Sequence, residues 1–143
     1  MRDAGVPVAL GVDGSASNDT GSMIAEARMA MLLQRVKNGA DAMSAREMLE
    51  IATRGGAEVL GRDDCGQSAV GKRADGAIWD VSGLEAAGAW DPVAALLLSG
   101  PPRVRDLFVE GRQIVRDGHV QTINLEATIS RQNQMARELA EAV

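Results

Sequence analysis

The sequence predicts an α/β chain, and three observations predict it. Residues 6–12 (VPVALGV) form a nearly continuous apolar run, as in a strand buried on both faces. A polar loop and a helical period follow it directly, which makes one strand–loop–helix unit. The second half of the chain instead carries short strands punctuated by two-residue turns, then a long amphipathic helix.

Taken in order, Arg2 to Gly5 reads as a last helical turn closed by a C′ glycine. After the apolar run, residues 13–19 (DGSASND) form the loop at its carboxyl end. Residues 22–37 carry Ile24, Ala27, Met31 and Leu32 at helical spacing, and Asn38-Gly39 stops that helix. Met23, Met29 and Met31 on this segment read as core filler. Ser44 and Glu47 make a capping box for a second helix, which runs to Leu60 and ends at Gly61. Gly55-Gly56 in its later half costs about 1 kcal/mol per glycine in helix propensity, so a close helix-to-backbone contact is expected there. Residues 77–81 read as a strand. Residues 92–99 read as a short buried helix with Asp91 as N-cap and Pro92 at N1. Glu110-Gly111 joins strands at 104–109 and 112–115 in a hairpin, and Asp117-Gly118 turns into 119–123. Residues 125–143 close the chain as a charged amphipathic helix. The expected division is 1–65, 66–124 and 125–143.

Composition narrows the function. Apolar residues make up 45% and charged residues 24%, the balance of a soluble globular chain. A net charge of −5 and only three aromatics, Trp79, Trp90 and Phe108, argue against nucleic acid as a partner. No apolar run reaches the ~18 residues of a membrane span, and the lone Cys65 has no disulfide partner, so the cytoplasm is expected.

No complete catalytic set is present. A catalytic zinc takes three protein ligands, and the chain has one histidine, His119, in the hairpin region. His119 reads as a surface residue, no nucleophile elbow precedes a helix, and the loop after residue 12 lacks the phosphate-binding glycine patterns. Asp13 is the exception. A carboxylate at the carboxyl end of a buried strand stands where α/β barrels keep their active sites, although Asp13-Gly14 reads equally well as a turn.

Residues 11–19 (GVDGSASND) resemble the eighth-strand segment of the amidohydrolase superfamily, in the branch of s-triazine hydrolases and guanine-type deaminases. Residues 44–61, with Ala52-Thr53 and Ala57, are similar to that family's post-barrel helix. Gly71-Lys72-Arg73-Ala74-Asp75 is similar to its return into a small β-domain, and residues 109–118 to its final hairpin. With Leu32-Leu33-Gln34-Arg35-Val36, the first run is most similar to the 8-oxoguanine deaminase and hydroxydechloroatrazine ethylaminohydrolase group.

The resemblance implies the last β/α unit of a TIM-like (β/α)8 barrel, the C-terminal share of a small β-sandwich domain, and a terminal helix. A whole barrel takes ~250 residues, so the chain is expected to be a fragment. Asp13 would then be both a ligand of the catalytic zinc or iron and the group that moves the proton, with Ser17 and Asn18 shaping the loop beside it. Capping and turn formation explain Ser17 and Asn18 equally well. The family's histidine ligands and general-acid glutamate lie upstream of this sequence. The chain alone is therefore expected to bind no metal and to be inactive, its parent acting on a small heterocycle. The partner would be a second copy or the missing N-terminal half, because a lone strand presents unpaired edges. The alternative is a non-catalytic interaction or complementing module.

Overall fold

The computed structural model describes residues 1–100 and 102–142. A 3-10 turn, Arg2–Ala4, is closed by Gly5 at φ 70°, as expected of a C′ glycine. Residues 6–12 follow without helical or strand hydrogen bonding. The expected strand has no ladder here, because a strand needs a neighbour and all four strands of the described residues lie in one sheet further along. Val8 and Leu10 still pack against the apolar core.

After a single turn, α1 (Ser15–Asn18), helix α2 (Met23–Asn38) starts where Ser22 Oγ accepts from the Ala25 amide. It stops at Gly39, whose amide donates to the Arg35 carbonyl. Helix α3 (Ala45–Glu50) opens with the full capping box. Ser44 Oγ accepts from the Glu47 amide at 3.2 Å, and the Ser44 amide donates to Glu47 Oε2 at 2.9 Å. α3 runs without a break through a π-helical turn, Ile51–Gly55, into α4 (Gly56–Val59). The Arg62 amide reaches the Ala57 carbonyl and the Gly61 amide the Glu58 carbonyl, the pair of bonds of a Schellman cap.

The π turn brings Gly55 against the backbone of Val8, where a Cβ would overlap the carbonyl oxygen. The expected close approach is therefore present, but for one glycine only: Gly56 faces open space.

Helix α5 (Pro92–Leu98) has Pro92 at N1, and Asp91 Oδ1 accepts from the Val93 amide at 2.9 Å. Arg46 on α3 pairs with Asp91, and Arg28 on α2 donates to the Leu98 carbonyl, so each end of α5 is tied to a different helix. Between these helices Ala27, Met31, Ala45, Met48, Ile51 and Leu97 form the core. Met31 and Leu97 are 0% and 1% exposed, each worth about 1.5–3 kcal/mol in burial. Of the three clustered methionines only Met31 fills the core. Met23 and Met29 are 40% and 56% exposed.

Strands β1 (Gly76–Trp79), β2 (Val104–Val109), β3 (Arg112–Arg116) and β4 (His119–Val120) form one antiparallel sheet in that order. Glu110 and Gly111 both have positive φ, as do Asp117 and Gly118, which gives each hairpin the twist of its strands. The strand expected over 119–123 shortens to two residues. Two clefts of about 790 and 820 Å³ lie between helices and strands, the first lined by Glu50, Thr53 and Phe108, the second by Leu49, Trp79 and Val115. Helix α6 (Leu125–Glu141) follows an Asn124 cap and buries no residue.

A polar clasp joins the end of α4 to the sheet. The Asp64 carboxylate accepts from Arg62 Nε at 2.8 Å and Arg73 Nε at 2.6 Å; Arg73 also pairs with Glu110, and Lys72 donates to the Asp63 carbonyl. Asp75 Oδ1 accepts from the Glu110 amide and the Ala74 carbonyl from the Gly111 amide. The segment 71–75 thus holds the α4 exit with residues 72 and 73 and the first hairpin turn with residues 74 and 75.

Two outcomes are expected in urea melts. Met31→Ala should cost about 2–5 kcal/mol, whereas Leu33→Ala, on the exposed face, should stay within about 0.5 kcal/mol. Hydrogen bonds from Arg62 and then Arg73 hold the Asp64 carboxyl well below the usual carboxylate range. A carboxylate depressed in the folded state stabilises fully above its unfolded pKa of about 3.9, and that contribution shrinks as pH falls below it. Wild type should therefore exceed Asp64→Asn in Tm at pH 7, with the gap narrowing at pH 3; a gap that widens on acidification contradicts this account.

Candidate active site

Asp13 follows the segment that packs Val8 and Leu10 into the core, and it takes the left-handed conformation at φ 58°. Aspartate tolerates this region because its short polar side chain bonds locally. Here Oδ1 accepts from the Gly14 amide at 2.8 Å, and the residue is exposed. The carboxylate is therefore held by its own turn and displayed outward.

The loop beyond it is knitted by the residues that the sequence singles out. The Gly14 carbonyl accepts from the Ser17 amide, the Asn18 amide and Ser17 Oγ, each at 3.0 Å. Asn18 Nδ2 donates to the Val12 carbonyl and to Glu26 Oε1, both at 2.7 Å. One amide group thus uses both its donors to fasten the end of the apolar segment to the first turn of α2. Ser17 and Asn18 act in this structure as turn and tie. Glu26 completes the arrangement and was not anticipated; its only sequence signal is an acid in the first turn of a helix, where the dipole favours one.

His119 stands on β4, exposed, with Nδ1 2.8 Å from the Asp117 carbonyl, which agrees with a surface hairpin role. Cys65 is half-buried and unbridged. Among the described residues no group of three or more His, Cys, Asp or Glu side chains is placed to hold a metal. Asp13 is one carboxylate where a catalytic zinc takes three protein ligands, so the residues present do not fit a complete metal site. No helix of the described residues is long and apolar enough to cross a membrane.

The chain as a whole is similar to known proteins. The sequence profile of the amidohydrolase family matches residues 1–114. The 8-oxoguanine deaminase of Pseudomonas aeruginosa is 46% identical over 139 residues, covering 97% of this chain and 31% of that protein. A 5-methylthioadenosine/S-adenosylhomocysteine deaminase of Desulforudis audaxviator is 40% identical over 146 residues, covering 100% and 34%. Among solved structures, the atrazine chlorohydrolase TrzN of Arthrobacter aurescens TC1 complexed with zinc superposes with a TM-score of 0.86 at 36% identity, over 93% of this chain and 30% of that one. An adenosine deaminase of Xanthomonas campestris with bound zinc gives 0.88 at 32%, over 99% and 33%. The chain spans about a third of the length of the curated relatives it matches.

Asn18→Ala should leave the Val12 carbonyl and the Glu26 carboxylate without their donor. A loss of about 1–3 kcal/mol is expected, together with faster amide exchange over residues 13–18. Unchanged exchange in that loop would show that Asn18 does not hold it.

Proposed function

The chain belongs to the amidohydrolase family, and on that premise we propose that it is the C-terminal third of a zinc- or iron-dependent aminohydrolase acting on a small amino-substituted heterocycle, 8-oxoguanine or a hydroxylated triazine in type. The observation that carries this reading is the display of Asp13, a carboxylate held outward by its own turn at the end of a core-anchored segment. The 46% identity to an 8-oxoguanine deaminase over nearly the whole chain supports the substrate class.

In the reaction, the oxygen of water bonds to the ring carbon that bears the amino group, and the carbon–nitrogen bond then breaks to release ammonia. Asp13 accepts the proton of the attacking water and returns it to the departing nitrogen, so its carboxylate ends as it began. The zinc or iron of the parent enzyme would supply activation of that water. Asp13 is the one ligand this chain contributes; the others belong to the remaining two thirds of the protein. On this reading residues 1–65 close the barrel, 66–124 belong to the small β-domain, and 125–143 form a terminal helix. The site of action is cytoplasmic, and the residues of this chain act together with those of the remaining two thirds of the enzyme.

Ammonia release from 8-oxoguanine and hydroxylated triazines, measured with zinc present, tests the reading. The chain alone should show no turnover, and the chain complemented by the missing two thirds should be active. Asp13→Ala in the complemented enzyme should cut kcat by about 10²–10⁴-fold. Full activity in Asp13→Ala would sink the role of Asp13, and turnover by the chain alone would sink the complementation.

A further inference from the structure

The segment that carries Asp13 is gauged at Val8 by a single glycine on the neighbouring helix. Ile51 and Gly55 stand four residues apart within the π turn. Ile51 is buried in the core against which Val8 and Leu10 also pack. At Gly55 the helix meets the segment itself: a Cβ there would overlap the Val8 carbonyl oxygen and lie 3.4 Å from its carbon. That neighbour is backbone, so no side-chain rotation relieves the overlap. A π turn inserts an extra residue into the helix, and here it is the stretch that contains Gly55. Downstream, Asn18 ties the Val12 carbonyl to Glu26 on α2. Asp13 therefore lies beyond two stops, one where Val8 rests on Gly55 and one where Val12 is fastened. Gly66 approaches the π turn at Thr53 and α4 at Ala57: a Cβ on it would come 3.1 Å from the Thr53 carbonyl oxygen and 2.8 Å from the Ala57 Cβ.

We propose that Gly55 is a positioning residue for Asp13: by lacking a side chain, it sets how closely residues 8–12 approach the helices and so where the carboxylate stands. This rests on the role given above to Asp13, and it adds a residue that touches neither substrate nor metal. Gly56 is the internal control, since it occupies the same helix and gains the same helix propensity on substitution but faces open space.

Gly55→Ala and Gly56→Ala are made in the 143-residue chain and in the complemented enzyme. In the chain, Gly55→Ala should shift the amide resonances of Gly11, Gly14 and the Asn18 side chain, and Gly56→Ala should leave them in place. In the enzyme, Gly55→Ala should lower kcat by about 10- to 100-fold with KM changed less than about twofold, because a misplaced reacting group loses rate before it loses binding. Gly56→Ala should match wild type. Identical resonances in the two variants, or identical kinetics in an enzyme whose wild type turns over, overturn the proposal. If Gly55→Ala does not fold, adding Val8→Gly frees the segment to retreat, and the same resonances are read there against Val8→Gly alone. If no form of the protein shows turnover, the functional reading fails, while the resonances still decide whether Gly55 sets the loop.

Discussion

Everything positioned in this chain hangs on one apolar junction, where α2, α3, the π turn and α5 close over Met31 and Leu97. The core residues Ala27, Met48, Ile51 and Leu97 come from all of these elements. The area they remove from water offsets the entropy of fixing three helices and the strand-like segment that carries Val8 and Leu10. Small residues matter as much as large ones in that balance. Ala27 and Ala45 fill the core beside Met31, and Gly55 lets the Val8 main chain approach the π turn while Val8 and Leu10 pack against the core.

The sheet is attached by other means. Asp64, Arg62, Arg73 and Glu110 are all at least partly exposed, and exposed ion pairs contribute little individually. What they supply is direction. Arg73 engages Asp64 and Glu110 together, and Asp75 and Ala74 accept from the amides of the hairpin turn, so the α4 exit and that turn are held to one segment. The two clefts between helices and strands, one of them lined by Arg73 and Asp75 of the clasp, show that apolar packing does not close the space between the layers. Orientation there depends on charge-assisted hydrogen bonds, which tolerate no change of geometry but yield to acid and salt.

Sequence reading succeeded where a structural bond spans only a few residues. Ser44 with Glu47, Asp91 with Pro92, Glu110-Gly111 and the stop at Gly39 were legible because each signal and its hydrogen bond lie within the same turn. It fell short where the partner is remote. Nothing local distinguishes Gly55 from Gly56 or Arg73 from other exposed arginines; each is decided by what the fold brings opposite. The segment 6–12 shows the same limit in reverse. Its composition is that of a buried strand, but a ladder is a property of two strands, and this chain holds no neighbour for it among the described residues. At the site, Asp13 was readable from its place after an apolar run, whereas the tie from Asn18 to Glu26 crosses eight residues and two elements.

Helix α6 stands apart from all of this. Its 17 residues bury none of their side chains, and Leu125, Ile129, Met135 and Leu139 are 41–69% exposed. A helix of this length without packing is marginal in water and is held by its own propensity, the Asn124 cap and pairs such as Gln134 with Glu138. Its melting therefore has no latent cooperativity to share with the core. On heating, the chain should lose part of its ellipticity in a gradual slope before the sigmoidal step, so that the calorimetric enthalpy of that step would belong to the clustered helices and sheet and not to the polypeptide as a whole.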